Sequence, residues 1–361
     1  MIGLLLKKLK IPAQFVAENV IRTENCRLCG EKHGKLISVV DYWDIKTSSI
    51  IKCEKCGLSQ LDPMLTDAET SKGCLAYYIE ESLRCSLHEQ KRNLLRNFRR
   101  GVVFAYSLKK RNIVPENILE FGPGSGYFLQ GIKFVFPKIK ITVLDINQEI
   151  LTLNEKHHQY ETIKATPEKH IEELKNKFDL IIARDIIEHV SDISKMLQNV
   201  YYYSKPNGLF HFITPNGHED VWKHYLTYKF KKQNSELLIN HVNYFDGKGL
   251  LEHLQQHQFS NVEYYTYSLK STRKGYGWKE KTKLMSTVST KKESDTYIND
   301  KISELQNDDF NKEEILSTWY INDKTKFFTY LVCLYHQSKL FKVNPIHNIG
   351  HEIHGLFKIK K

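Results

Sequence analysis

Apolar and polar positions along the middle of the chain change repeatedly between two periods. Short apolar runs, typical of buried strands, are followed by stretches in which apolar residues recur every three or four positions, as in amphipathic helices. Because strands that alternate with helices form a parallel sheet covered on both faces, the pattern predicts an α/β fold. The predicted strands span residues 117–121, 140–145, 161–164, 178–183 and 208–213, and the predicted helices span residues 126–135, 147–158, 167–175 and 191–203.

Helical spacing also occurs on both sides of this region. The basic segment 83–111 predicts a helix that leads into the α/β core, and residues 313–341 predict one or two helices that pack on the core or on a second subunit. Residues 270–312 are polar with few apolar positions, which predicts a linker. Four regions follow: an N-terminal domain, a helical linker, the α/β domain, and a flexible linker with a C-terminal helical extension, at residues 1–70, 71–112, 113–268 and 269–361.

The first predicted strand runs into a glycine-rich turn, and the sequence from Asn117 to Tyr127 is NILEFGPGSGY. Glycines permit backbone angles that other residues disfavour, and they let a ligand approach the main chain. A dinucleotide site would need a third glycine in place of Tyr127, and Pro123 removes an amide hydrogen that a pyrophosphate would use. The turn therefore favours a nucleoside with a cationic or zwitterionic tail, which Glu120 could attract.

A second signal lies at the end of the next strand, where Asp145 could accept hydrogen bonds from both hydroxyls of a ribose. The glycine turn followed by this acidic strand end resembles class I S-adenosylmethionine-dependent methyltransferases. Blocks at residues 178–190, 205–216 and 241–259 extend the resemblance in the expected order. The resemblance implies a Rossmann-like seven-stranded sheet with helices on both faces, and S-adenosylmethionine as the cofactor.

The resemblance also implies which residues hold the cofactor. Many members of the family carry an acidic residue for the adenine amine where this chain has Ala165, so the base is expected to contact Ile146 and backbone groups near Thr166. The predicted cofactor-binding residues are Glu120, Gly122, Gly124, Gly126, Asp145, Ile146, Thr166 and Asp185.

The acceptor side of the predicted site contains histidines. Methyl transfer needs a proton acceptor only when the nucleophile is protonated at neutral pH, and the candidates are His189, and His241 with Tyr244. Helix capping or packing is the alternative role for each of them. Members of the family that methylate amines of nucleic acids often carry N-P-P-[YF] after the fourth strand, and this chain does not. Its absence favours transfer to an oxygen or carbon atom of a small natural-product or sugar-like molecule.

Two C-x-x-C-G knuckles precede the basic helix. Cys26 and Cys29 form the first, and Cys53 and Cys56 form the second, so four thiolates are available for a tetrahedral zinc ion. A zinc ribbon is predicted, because disulfides or a redox pair fit a reducing compartment less well. This arrangement resembles sugar C-methyltransferases and, more loosely, zinc-bearing ribosomal RNA methyltransferases.

Charge and hydropathy leave alternatives open. A formal charge of +11 allows an RNA partner bound by the ribbon and the basic helix, although lysines dispersed over solvated helices and loops are the favoured explanation of the charge. A non-catalytic cofactor-binding assembly protein is the third hypothesis, and the C-terminal helices could support a homodimer. Apolar runs fall short of the ~18 residues that cross a bilayer, and the first residues do not resemble a signal peptide, so no membrane partner and a cytoplasmic location are expected.

Overall fold

The computed structural model describes most of the chain before residue 268 and two segments near its C-terminus. The described residues are 19–42, 46–66, 69, 87–237, 241–267, 342–343 and 352–361. Within them, no helix combines the length and the apolar character that crossing a membrane would require.

Strands and helices of the described residues are numbered here in chain order. The strands are β1 (Asn19–Ile21), β2 (His33–Tyr42), β3 (Lys46–Cys53), β4 (Ser59–Asp62), β5 (Asn117–Phe121), β6 (Lys140–Asp145), β7 (Glu161–Lys164), β8 (Phe178–Arg184), β9 (Ser204–Pro215), β10 (Ser235–Glu236), β11 (Asn243–Tyr244), β12 (Phe259–Tyr267), β13 (Lys342–Val343) and β14 (Glu352–Ile359). The α-helices are α1 (Leu87–Lys109), α2 (Tyr127–Val135), α3 (Gln148–His158), α4 (Ile193–Tyr203), α5 (Gly217–Lys231) and α6 (Gly247–Gln256).

The larger sheet has the strand order β13-β12-β14-β9-β8-β5-β6-β7. Neighbours from β9 to β7 pair in parallel, whereas β14 pairs antiparallel with both β9 and β12. Seven strands build the body of the sheet, and the two-residue β13 adds to one edge. This architecture confirms the predicted Rossmann-like α/β fold, and it places the carboxyl ends of β5, β6, β7, β8 and β9 along one edge.

The C-terminal strand β14 differs from expectation. The predicted α/β domain ended at residue 268. In the structure β14 lies inside the sheet, with Ile353 opposite both Thr214 of β9 and Thr266 of β12. Ile353 and Phe357 are fully buried, so this strand belongs to the core. The linker at 270–312 and the helices at 313–341 lie outside the described residues.

Two local features differ from the predictions. The helix expected at 167–175 is a single 3₁₀ turn at Glu172–Leu174, and α5 was not predicted. Within the block at 241–259, helix α6 begins at Gly247, because the Asp246 carboxylate accepts hydrogen bonds from the amides of Lys248 and Gly249 and so caps it.

The N-terminal strands form a second sheet, but they do not form it alone. Its order is β1-β2-β3-β4-β11, with β10 paired to β2, so segments from the α/β region complete it. Asn243 lies opposite Gln60, and Ser235 lies opposite Val40. Apolar side chains of α5 pack under this sheet in one shared cluster. The region before residue 70 is therefore joined to the α/β region by strand pairing as well as by packing.

Helix α1 packs closely on α2. A Cβ atom on Gly101 would lie 1.9 Å from the carbonyl oxygen of Phe128, and one on Gly131 would lie 2.1 Å from that of Phe98. Only glycine permits this backbone approach, so α1 is part of the α/β body rather than a free connector.

Candidate functional site

The glycine turn after β5 lies at the carboxyl edge of the sheet and has the backbone that its sequence predicts. Gly122, Gly124 and Gly126 have φ values of +62°, +54° and +74°, a region that favours glycine. A Cβ atom on Gly122 would lie 2.1 Å from Ile186, whereas one on Gly124 would meet nothing within 4 Å. Gly124 therefore presents open backbone where a ligand can approach.

Helix α3 holds this turn from behind. The Asn154 amide donates a hydrogen bond to the Gly124 carbonyl at 2.9 Å, and Nε2 of His158 lies 2.9 Å from the Ser125 carbonyl. Burial lowers the pKa of His158, so the neutral ring can donate this hydrogen bond. Neither side chain was predicted from the sequence, although the two residues are one helical turn apart on the face toward the sheet, and this spacing could have indicated their role.

Glu120 at the end of β5 is completely buried and has a protein partner. Nε of Arg184 donates to its Oε1 at 2.9 Å, and the Arg184 guanidinium lies 3.7 Å from the centre of the Phe128 ring. Oε2 has no hydrogen-bond partner among the described residues. Burial raises the pKa of Glu120 to about 7 against the opposing effect of Arg184. Glu120 therefore pairs with a cation of the protein itself, Arg184, and no sequence motif predicts this pair.

The shifted carboxyl group predicts a pH-dependent stability. Because the folded-state pKa of Glu120 exceeds its unfolded value of 4.5, its stabilising contribution is complete below pH 4.5 and is lost as pH rises through about 7. Between pH 5 and 8 the wild type should lose roughly 3 kcal/mol of unfolding free energy that Glu120→Gln does not lose. Urea denaturation of both proteins at several pH values measures this difference, and parallel profiles would contradict it.

Asp145 and its neighbours lie beside the turn, at the ends of β6 and β7. The Asp145 carboxylate accepts a hydrogen bond from the Asn147 amide at 2.8 Å, and burial raises its pKa. Ile146 is 59% exposed, so its side chain is available to a flat ring. The Ala165 amide donates to the Asp145 carbonyl, and Thr166 after it is exposed.

The loop after β8 begins with Asp185, an exposed residue whose φ of +55° is rare for a side chain other than glycine. Its amide donates to the Ile213 carbonyl of β9 at 2.8 Å, so the loop starts at a fixed point of the sheet. The structure therefore brings the predicted cofactor-binding residues together along one edge.

The same loop meets the segment before α6. Amides of Val242 and Asn243 donate to the Glu188 carbonyl at 2.9 and 3.0 Å, and the Asn243 side chain donates to the Val190 carbonyl. The rings of His189 and His241 consequently lie 4.9 Å apart, centre to centre. The two predicted histidines thus lie next to each other, with their rings in an edge-to-face contact.

Buried polar groups surround this pair. The Glu188 carboxylate is 1% exposed, its Oε2 accepts a hydrogen bond from the Thr214 hydroxyl at 3.0 Å, and its Oε1 lies 4.0 Å from Nε2 of His189. Burial raises the pKa of Glu188 well above its usual value. Burial also lowers the pKa of His241 to about 3, so this ring is neutral at physiological pH.

Tyr244 lies deeper than the two histidines. Its ring centre is 6.5 Å from that of His241, its hydroxyl has no hydrogen-bond partner among the described residues, and burial raises its pKa. Its backbone pairs with Ser59 of β4 and its ring belongs to the cluster under the N-terminal sheet. Its catalytic role stays a prediction.

The four knuckle cysteines converge beside the N-terminal sheet, where β3 ends at Cys53. Their sulfur atoms all lie within 4.8 Å of one another, with Cys26–Cys56 and Cys29–Cys53 Sγ distances of 3.5 Å. A zinc ion with bonds of about 2.3 Å places its thiolates about 3.8 Å apart, so the donor set fits this metal. The glycine after each knuckle has φ near +75°, as predicted for the turn.

The knuckles also contact the segment that carries His241. Arg27, between the first two cysteines, is 7% exposed at its side chain, and its Nη1 donates to the Val242 carbonyl and the Asn243 side chain. A Cβ atom on Gly249 of α6 would lie 1.8 Å from the Cys56 carbonyl. The ribbon was predicted as a domain separate from the α/β region, and these contacts between the two were not predicted.

Comparison with known proteins agrees with this geometry. Residues 87–264 match the family model described as a methyltransferase domain, Methyltransf_23. The curated malonyl-[acyl-carrier protein] O-methyltransferases of Bacillus anthracis and Bacillus cereus are 25% and 24% identical to this chain, over 27% and 33% of it. The matches cover 36% and 45% of those proteins, so the chain spans less than half of their length.

Solved structures with a similar fold are also methyltransferases. The plantazolicin methyltransferase BpumL, in complex with SAH, has 11% identity and a TM-score of 0.43, over 82% of this chain and 92% of that one. A SAM-dependent methyltransferase from Aquifex aeolicus has 17% identity and a TM-score of 0.34, over 45% and 82%. The family match identifies residues 87–264 as a methyltransferase domain.

Proposed function

We propose that this protein transfers the methyl group of S-adenosylmethionine to an oxygen or carbon atom of a small molecule. The observation that carries the proposal is that two features lie along a single edge of the sheet. The glycine turn is open at Gly124 on one side, and the rings of His189 and His241 lie next to each other on the other side. Such an edge can hold a methyl donor and an acceptor next to each other, and positioning supplies most of the catalysis in a displacement of this kind.

S-adenosylmethionine would supply the methyl group on a sulfonium sulfur, and this chain would bind and orient it. Asp145 would accept hydrogen bonds from the ribose, and the exposed Ile146 side chain would contact the adenine. The backbone at Gly124 is open to the remainder of the molecule. The other predicted cofactor-binding residues are Glu120, Gly122, Gly126, Thr166 and Asp185.

The acceptor would occupy the space bounded by His189 and His241, next to Glu188. The names of the curated relatives, which are O-methyltransferases, support an oxygen acceptor over a carbon acceptor. A natural-product or sugar-like acceptor remains our hypothesis. The role of His189 as the group that takes the acceptor's proton stays a prediction.

Cys26, Cys29, Cys53 and Cys56 would hold one structural zinc ion, as their spacing in the structure supports. Zinc in such a closed site supplies folding free energy and no catalytic water. The alternatives of an RNA substrate or a silent assembly protein stay predictions, as do a homodimer and a cytoplasmic location. RNA binding would be recognised by a steep loss of affinity with added salt.

The proposal is tested by titrating S-adenosylmethionine into the wild type and into Asp145→Ala by calorimetry. Loss of the hydrogen bonds to the ribose should weaken binding by about 10- to 100-fold, the range expected for hydrogen bonds to a charged group. Asp41→Ala, the same change in the N-terminal sheet, serves as the control and should bind normally. Equal affinities in all three proteins, or a preference for NADH, would overturn the assignment.

A further inference from the structure

Glu188, His189 and His241 form a donor set that contains none of the predicted cofactor-binding residues. One carboxylate oxygen and one nitrogen from each ring lie within 4.8 Å of one another. A carboxylate with two imidazoles is the combination that Mn²⁺, Fe²⁺ and Zn²⁺ accept in sites that keep open positions. The cluster is separate from the cysteine knuckles, whose soft thiolates suit a different metal chemistry.

The strongest indication is an unpartnered oxygen. Oε1 of Glu188 is buried and has no hydrogen-bond partner among the described residues, although the other oxygen is held by Thr214. Leaving a buried acceptor unsatisfied costs about 1–3 kcal/mol, and more when the group is charged. A buried carboxylate of this kind calls for a partner, and an ion bound beside it is one of the standard explanations.

The surroundings resemble the outer contacts of a metal site. Thr214 orients the Glu188 carboxylate, and Oδ2 of Asp220 lies 3.9 Å from Nδ1 of His241. Carboxylates behind histidine ligands and donors behind carboxylate ligands are the usual supports of bound metals. The hydrogen bonds from Val242 and Asn243 to the Glu188 carbonyl keep the two ligand-bearing segments together.

We propose that Glu188, His189 and His241 bind one divalent cation whose open positions face the acceptor, so that the acceptor is an oxygen ligand such as a hydroxyl, enol or carboxylate. Bonds of about 2.1 Å require donors closer than 4.8 Å, and His189, with 27% of its side chain exposed, is the most exposed of the three residues and can shift most readily. The identity of the acceptor rests on the proposed methyl transfer, whereas cation binding does not.

Direct Mn²⁺ binding tests the inference without any assay of methyl transfer. The probe is Mn²⁺ titrated into the full chain with zinc already in the cysteine cluster, followed by electron paramagnetic resonance, because thiolates are poor ligands for this hard ion. The wild type should bind one Mn²⁺. Glu188→Gln and His189→Ala should each weaken binding by at least ~10²-fold, and Thr214→Val by ~10-fold, since outer contacts matter less. His257→Ala, an exposed histidine of α6's C-terminal turn, should bind as the wild type does.

The outcomes separate this inference from the proposed function. A wild type that binds S-adenosylmethionine but neither Mn²⁺, Fe²⁺ nor added Zn²⁺ would overturn the cation site and leave methyl transfer standing. Unchanged Mn²⁺ affinity in both Glu188→Gln and His189→Ala would also overturn it, because the ion would then lie elsewhere. His189→Ala alters a partly exposed side chain, so it keeps the test decisive if Glu188→Gln does not fold.

Discussion

Replacing Cys53 with Ser is expected to release zinc and to loosen two regions of the protein that are far apart in sequence. Cys53 is fully buried at the end of β3, and a structural zinc ion contributes its binding free energy directly to folding. Because β11 pairs with β4, and Arg27 bonds to Val242 and Asn243, the change should reach the segment that carries His241. The residues of β5 and β6 should stay ordered.

Elemental analysis and hydrogen exchange measure this result. The variant should contain no zinc, and amides in residues 19–62 and 241–249 should exchange faster by several orders of magnitude, with little change in residues 117–145. Lys55→Ala is the matched control, since Lys55 is an exposed residue of the same knuckle. Zinc-free wild-type protein would refute the metal assignment, and exchange confined to residues 19–62 would refute the coupling between the knuckles and the acceptor side.

Periodicity predicted the parallel strands because their signal is local. Strands β5, β6 and β8 are each an apolar run followed by an α-helix, and each such unit is complete within about 30 residues. Strand β14 escaped prediction because its partners, β9 and β12, are separated from it by a long polar stretch of sequence. The same reason applies to β10 and β11, two-residue strands that exist only because the N-terminal sheet offers them an edge.

The candidate site also contains both residues that could be predicted from local sequence and residues that could not. Gly122, Gly124 and Asp145 could be predicted because a turn and a strand end fix the roles of these residue types wherever they occur. Arg184 and Asn154 acquire their importance from contacts made after folding: one pairs with Glu120, and the other supports the glycine turn. Nothing in the local sequence distinguishes Arg184 from an ordinary strand end, and the signal for Asn154 is its separation from His158 by one helical turn.

Replacing His189 with Ala is expected to lower turnover by about 10²-fold or more while S-adenosylmethionine affinity stays nearly unchanged. A group that acts on the nucleophile, by taking its proton or by holding a cation that binds it, contributes at least this much. His189 is suited to the task because part of its side chain is exposed and its ring faces His241, whereas Glu188 beside it is buried. The predicted cofactor contacts at Gly124 and Asp145 come from other strands, so they should survive the change.

The measurement compares steady-state turnover, with an acceptor found by screening pools against a labelled methyl donor, and calorimetric cofactor affinity in the same preparations. His257→Ala removes a histidine from the exposed end of α6 and should leave both quantities unchanged. If His189→Ala keeps full activity, the residue only shapes the loop after β8, and His241 becomes the group to examine. If both turnover and cofactor affinity fall together, the loop supports the cofactor as well, and the division of the sheet edge into a donor side and an acceptor side is wrong.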